Sequence, residues 1–362
     1  MLEITCTSCK KPYPDRGLPY LCPQCGGIFE WTGLPDFRAE DIEPNLPGIW
    51  RYWRLFGNEI KKHFVSLGEG NTPLIPGNAF GKRVGWKLEY INPTGSYKDR
   101  GSAVLMGYIK SRGVDNIVED SSGNAGASFA AYASRAGVKS RVYVPKNASG
   151  PKLRQIESYG SELVVVDGPR SAAARAVLKD VAQGHVYGSH AYLPFGMLGN
   201  ATIAYELLAE MDTLPGTIIA PVGHGSLLLG VINGFEILKQ SGAISHIPAY
   251  VGVQAAACAP IWAEFTGNKI DVKEGETLAE GVRVKQPVRS QALLRAMHGK
   301  DDRFVLVEED QILSGRDALA RQGFYVEPTS AIVWNAFQQI ASKVPEPVVV
   351  LLTGSGFKYQ DR

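Results

Sequence analysis

The stretch NPTGSYKDRG, residues 92–101, sets Lys98 between a glycine-bearing turn and an arginine, directly ahead of the apolar run SAVLMGYI. A surface lysine needs no such setting, whereas a lysine that must hold a carbonyl compound in a defined orientation does. From about residue 84, short β-branched runs alternate with helical stretches: NIVEDS, GASFAAYASRAG, SRVYVP, PKLRQIESYG, ELVVVDG and SAAARAVLKDVAQG. The alternation continues through TIIAPVG, LLLGVINGFEILKQ, AYVGVQ, RFVLVEE and VVVLLTG. Continuous apolar strands separated by amphipathic helices predict an α/β protein with a mainly parallel sheet covered on both faces. In such sheets ligands bind at the carboxyl ends of the strands, on the connecting loops.

Composition fits that class. The 362 residues, 44% hydrophobic and 20% charged, can bury a large core and divide into two domains or more. Formal net charge is +2 with both signs interspersed, so no sustained basic face is present to hold nucleic acid by counterion release. No apolar stretch approaches the roughly 20 residues that span a bilayer. The opening MLEITCTSCKK lacks the basic-then-apolar order of a signal peptide, so the expected location is cytoplasmic, with neither nucleic acid nor membrane as a partner. The 40 glycines and 22 prolines recur at strand-to-helix junctions, and no internal repeat is visible.

Four of the five cysteines form two knuckles, Cys6-x2-Cys9 and Cys22-x2-Cys25, separated by twelve residues. Each knuckle brings two thiolates to one side of a metal, so the set fits one tetrahedral zinc ion. Two disulfides are the alternative, and a cytosolic chain would keep these thiols reduced. With no histidine or carboxylate and no open coordination position, the site is expected to be structural, folding a segment of about 30 residues too small for its own core. Cys258, in VQAAACAP, reads as a packed thiol. Residues 36–66 are rich in aromatics and charges and are expected to wrap around a larger body.

Three loops carry unusual chemistry. Ser121, Ser122, Gly123, Asn124, Ala125 and Gly126 stand between a strand and a helix, with small residues that let backbone amides approach a ligand and an Asn124 amide that both donates and accepts. Gly223, His224, Gly225, Ser226 and Leu227 follow a strand end and precede a helix, where N–H groups and the helix dipole favour an anion. A glycine pair after a strand is also ordinary turn chemistry. Thr353-Gly-Ser-Gly356 closes the late strand VVVLL and brings hydroxyls to the same sheet edge.

Taken in order, these motifs resemble the fold-type-II, tryptophan synthase β-like family of pyridoxal-phosphate enzymes. NPTGSYKDRG is similar to its cofactor-lysine motif, SSGNAG to its asparagine loop and GHGS to its phosphate loop. EGNTPL (69–74), AEGVRVKQPVR (279–289) and EPTSA (327–331) resemble further blocks of the threonine synthase branch, and the likeness runs from about residue 50 to the C-terminus. A cysteine knuckle stands at the front of some members. The resemblance implies two open α/β domains with pyridoxal 5'-phosphate between them: a zinc-ribbon-like segment at 1–33, a large domain from 34–100 and 206–362, and a small domain at 101–205. It also implies a homodimer.

By the same resemblance Lys98 forms the Schiff base with the cofactor and then serves as base on the substrate α-proton. Asn124 bonds the pyridoxal 3-hydroxyl, the amides of Gly223 to Leu227 hold the phosphate, and Thr353 faces the pyridine nitrogen. A neutral hydroxyl there tempers the electron sink and suits elimination over transamination. Tyr97 packs by the cofactor or belongs to the core. His224 is given no acid–base role, since its ring could equally face solvent.

The implied activity is that of a carbon–oxygen lyase or synthase acting on an amino acid. Threonine synthases hold the substrate phosphate with hydroxyl residues in the asparagine loop and with an NPxRLEGQKT block. This chain has Ala125 and Gly126 in the loop, and SHAYLPFGMLGNATIAYE (189–206) for the block, with Gly196 and Ala201 aligned to the arginine and lysine. A dianion without such partners loses its hydration uncompensated. The small-residue loop is more like that of serine and threonine dehydratases, in which Ser121, Ser122, Gly123 and Ala125 would take the substrate carboxylate. His190 and Tyr192 are candidates for the side-chain pocket. β-Replacement of the cysteine or cysteate synthase kind, and a catalytically silent relative binding through its knuckle, are the alternatives.

Overall fold

A computed structural model describes residues 2–360 apart from 147, 149, 169 and 269–275. The chain begins with an antiparallel ribbon, β1 (Glu3–Cys6) and β2 (Phe29–Gly33). Short 3-10 segments follow. The segment Gly48–Phe56 buries Ile49, Trp50, Tyr52, Trp53, Leu55 and Phe56, so the aromatic-rich region does wrap onto a larger body. The hairpin β3 (Leu74–Ala79) and β4 (Lys82–Lys87) leads to α1 (Lys98–Ser111). Then come β5 (Asn116–Glu119), α2 (Asn124–Ala136), β6 (Lys139–Pro145), α3 (Pro151–Ser158), β7 (Glu162–Val166), α4 (Arg170–Ala182), β8 (Val186–Tyr187) and α5 (Gly196–Glu210). The remainder is β9 (Thr217–Pro221), α6 (Ser226–Gln240), β10 (Ala249–Ala255), α7 (Pro260–Thr266), α8 (Ser290–Ala296), β11 (Arg303–Val307), α9 (Glu309–Arg321), α10 (Pro328–Ile340) and β12 (Val348–Leu351).

Beyond the front ribbon, the described strands form two further sheets. One has six strands in the order β11-β10-β9-β12-β4-β3, parallel except for the β3–β4 hairpin at its edge. The other has four parallel strands in the order β7-β6-β5-β8. The central strands TIIAP and VVVL are buried at every position, as expected of strands covered on both faces. Among the described residues no helix is long and apolar enough to cross a membrane. Sequence positions 100/101 and 205/206, taken above as domain boundaries, fall inside α1 and α5. We propose that the division follows the two sheets, with these two helices packed together along the seam.

That seam is unusually tight and unusually charged. A Cβ at Gly199 of α5 would lie 1.9 Å from the Arg100 carbonyl oxygen, so only glycine lets the α1 backbone come this close. Next to it the fully buried Arg100 guanidinium meets Glu89 at 2.7 Å and Glu206 at 2.6 Å, and takes further bonds to Thr202 and Thr72 at 2.8 and 3.2 Å. Lys87 joins Glu206 at 2.9 Å and Glu210 at 2.8 Å. Burial opposes ionisation of Glu206, yet Arg100 and then Lys87 hold its carboxyl down at about 2.

Candidate active site

Residues 92–97 of the NPTGSYKDRG stretch form a turn ahead of α1, which begins at Lys98, and the turn is held from two sides. Asp99 accepts from the Thr94 backbone N–H and hydroxyl, each at 2.6 Å, and from the Ser128 hydroxyl at 2.6 Å. From the other side Tyr97 N donates to Thr353 O at 3.0 Å, Ser355 N to Gly95 O at 3.0 Å and the Lys358 ammonium to Thr94 O at 2.7 Å. Burial pushes the Asp99 carboxyl up to about 6 against the pull of the Ser128 and Thr94 donors. Burial likewise draws the Lys358 ammonium down to about 8. Lys98 is thereby fixed as the first residue of α1, half-buried, with its Nζ 4.8 Å from the centroid of the Tyr97 ring.

Lys98 lines a cavity of about 440 Å³, and the other loops singled out in the sequence converge on it. Ser121, Ser122, Gly123, Asn124 and Ala125 line it from the β5–α2 connection. The sharpness of that turn depends on Gly126, where a Cβ would sit 1.8 Å from Ser121 O. Gly223, His224, Gly225, Ser226 and Leu227 line it from the end of β9 and the first turn of α6, and Thr353 from beyond β12. The arrangement follows from topology: β5, β9 and β12 all deliver their carboxyl ends to one cleft.

The cavity offers a defined set of donors and acceptors. Asn124 Nδ2 donates to Glu327 Oε1 at 2.6 Å, while Asn124 Oδ1 is buried with no hydrogen-bond partner among the described residues. Ser226 Oγ, at the α6 N-terminus, is buried and unpartnered in the same way. An acceptor facing one end and a helix N-terminus with an idle hydroxyl at another fit a ligand that carries a hydroxyl donor and an anionic group. Thr353 is 3% exposed, its N–H bonded to Ser330 Oγ at 2.8 Å and its carbonyl to Tyr97 N, so the residue is held firmly in the wall.

Other residues differ from expectation. His190 lines the cavity, whereas Tyr192 does not: its ring packs edge-on against Tyr20 with centroids 5.4 Å apart. His224 has its Nδ1 3.4 Å from Val288 N and its ring edge-on to His190 at 5.7 Å, so the ring is part of the cavity wall. Glu327 and Lys152 were not foreseen. Lys152 pairs with Glu327 at 2.8 Å; burial works against its ammonium, but Glu327 holds its pKa above the usual lysine value. Glu327 opens the EPTSA block, yet nothing in that motif names its partners Asn124 and Lys152. Cys258 is buried and lies outside the cavity lining.

The four front cysteines gather at a different place. Their sulfur atoms all lie within 4.8 Å of one another, with Cys6 and Cys25 at 3.4 Å and Cys9 and Cys22 at 3.6 Å. These separations are too long for disulfides, whose S–S length is about 2.05 Å. The ribbon is tied to the cavity wall by Arg289, which is fully buried. Its guanidinium donates to Phe29 O at 2.6 Å, to Ala191 O at 3.1 Å and to Tyr192 O, and its backbone N–H bonds His224 O at 3.1 Å. Burial lowers its pKa to about 10.

The chain is similar to known proteins over most of its length. The family described as pyridoxal-phosphate dependent enzyme matches residues 65–354. A threonine synthase of Methanocaldococcus jannaschii is 31% identical over 98% of this chain and 93% of its own length. A threonine synthase of Synechocystis sp. is 32% identical over 94% of this chain and 87% of its own. Among solved structures, maize serine racemase superposes with a TM-score of 0.72 at 20% identity, covering 86% of this chain and 94% of that one. The processed threonine deaminase isoform 2 of Solanum lycopersicum superposes with a TM-score of 0.70 at 18% identity, covering 96% of each chain.

The turn before Lys98 carries a pH signature. Asp99 has a folded value of about 6 against 3.8 for an ordinary aspartate, so between the two the folded chain keeps a proton that the unfolded chain has lost. Its stabilising contribution is therefore full below the lower value and is lost as pH rises through the upper one. Asp99→Asn, which cannot titrate, is expected to flatten the decline in unfolding free energy across that window in urea melts. An unchanged slope would contradict the assignment.

Proposed function

Because the chain belongs to the pyridoxal-phosphate dependent enzyme family, we propose that Lys98 binds the cofactor covalently and that the cavity works as an amino-acid lyase or synthase of threonine synthase type. The observation that carries this reading is the convergence of Lys98, Asn124, the 223–227 loop and Thr353 on one cavity. Asn124 Oδ1 would accept from the cofactor hydroxyl. The N–H groups of Gly223 to Leu227 and the Ser226 hydroxyl would hold its phosphate, and the Thr353 hydroxyl would face its ring nitrogen. When bound, the cofactor supplies an electron sink for negative charge at the substrate α-carbon.

The chain's own groups do the rest. Lys98 Nζ takes the α-proton, and its place at the head of α1 keeps that nitrogen in one position. The Ser121 and Ser122 hydroxyls and the amides of Gly123 and Ala125 hold the substrate carboxylate. Glu327, paired with Lys152, orients Asn124 by fixing its Nδ2. Asn124 is thus committed to acceptance at Oδ1.

A substrate without a phosphate is favoured by two observations. Ala201, aligned with the lysine of threonine synthases, is 1% exposed where α5 packs on α6 and does not line the cavity. Among the described residues the cavity is lined by Lys98, Lys152 and Arg283, by the carboxylates Glu276, Glu280 and Glu327, and by His190 and His224. The lysine and arginine charges of that described lining are matched by carboxylates, which disfavours a second phosphate beside that of the cofactor. Elimination from a serine- or threonine-like substrate, or β-replacement on an activated serine, suits this lining. The same reading takes the enzyme as a cytoplasmic homodimer, and the four cysteines as ligands of a structural zinc ion. A tetrahedron of thiolates at about 2.3 Å from zinc has edges compatible with the observed sulfur separations.

Lys98→Ala is expected to lower turnover by more than about 1,000-fold while leaving the fold intact. Phosphohomoserine, threonine, serine, O-phosphoserine and O-acetylserine, assayed side by side for phosphate, keto acid or new amino acid, identify the reaction. Substantial turnover by Lys98→Ala would refute the mechanism. For the ribbon, Cys22→Ser is expected to lose bound zinc by elemental analysis and to loosen the front segment. Full zinc content in that variant would refute the metal assignment.

A further inference from the structure

The cavity wall holds a second acid–base pair that the reading above leaves idle. β5 and β8 run parallel with Val118 opposite Tyr187, so both segments leave the sheet at the same edge. Gly188 N donates to Val118 O at 2.9 Å and keeps the two exits together. There Glu119, at the end of β5 and 1% exposed, places Oε1 2.8 Å from His190 Nδ1. His190, its side chain 22% exposed, lines the main cavity and also an adjoining chamber of about 30 Å³. Lys98 lines the same two spaces.

A buried carboxylate on Nδ1 fixes the imidazole orientation, keeps a proton on that nitrogen and stabilises the charged ring. Nε2, on the opposite edge of the ring, is then the nitrogen that exchanges a proton. Resting on the role given to Lys98 and on elimination from a serine- or threonine-like substrate, we propose that His190 is the catalytic acid for the leaving hydroxyl. A carbon–oxygen bond to a hydroxyl breaks poorly unless the oxygen gains a proton as it departs. Lys98 Nζ takes the α-proton, and the electron pair left on Cα becomes the Cα–Cβ double bond. The Cβ–O pair leaves with oxygen, His190 Nε2 passes its proton to that oxygen, and water departs. Lys98 is left protonated and His190 neutral, so the proton inventory closes without oxidant or reductant. Glu119 is a positioning residue, acting through His190.

The test separates leaving groups that need a proton from one that does not. His190→Gln and Glu119→Gln are prepared as holoenzymes and given L-serine, L-threonine and β-chloro-L-alanine. Exchange of the α-proton is followed by NMR in deuterium oxide. For His190→Gln, keto acid from the hydroxy substrates should fall at least about 100-fold, while chloride release falls less than about tenfold and α-proton exchange persists. Glu119→Gln should show the same contrast to a smaller degree. Equal losses on all substrates, unchanged turnover of the hydroxy substrates, or a wild-type enzyme that releases chloride but no water would overturn the proposal. Absence of α-proton exchange in the wild type would instead contradict the role of Lys98.

Discussion

The position of Lys98 depends on Arg100, two residues further along α1, which lies fully buried between Glu89 and Glu206. Placing such charges inside a protein is costly, and removing one partner of a buried pair costs about 3–5 kcal/mol because the other is left uncompensated. The geometry accounts for their retention here. Glu89 stands just after β4, Glu206 belongs to α5, and the guanidinium fork reaches both while the α1 and α5 backbones touch at Gly199. α1 is thereby fastened both to the segment that follows β4 and to α5. Lys98, at the head of α1, lines the cavity at the strand ends.

The rest of the site consists of loops fastened to that frame by groups that are themselves fastened. Thr94, Asp99 and Ser128 hold the turn ahead of Lys98, and the segment 353–358 closes it from the other side. Glu327 connects Asn124 to Lys152, and Ser330, one turn into the same helix, holds Thr353. Arg289 links the cysteine ribbon, the loop that bears His190 and the loop that bears His224. Folding of the ribbon around its four sulfurs is therefore coupled, through one buried guanidinium, to two walls of the cavity. Among the described residues none of the ribbon lines the cavity, so its link to the site runs through Arg289.

Much of this was legible in the sequence because parallel strands buried on both faces are written as continuous apolar runs. TIIAP, AYVGVQ and VVVL announce themselves, and the loops that follow such runs are where chemistry is expected. The edge strand LIPGNA was missed: Pro76 and Gly77 dilute its pattern, and only part of it is buried. The pairs Glu119–His190 and Asn124–Glu327 were also invisible. Each joins residues far apart in the chain: the first pair meets because β5 and β8 are neighbours in one sheet, the second because the β5–α2 loop meets the segment ahead of α10 beside the other sheet, and spacing encodes neither. Tyr192 was expected in the pocket and faces Tyr20 instead, since the side chosen by a loop residue follows from what docks on the loop.

The most direct test is covalent. The protein is saturated with pyridoxal phosphate, reduced with borohydride, digested and mapped by mass spectrometry. The account expects the added cofactor mass on the peptide carrying Lys98 and on no other lysine. An unmodified Lys98, with the cofactor absent or attached elsewhere, would contradict it.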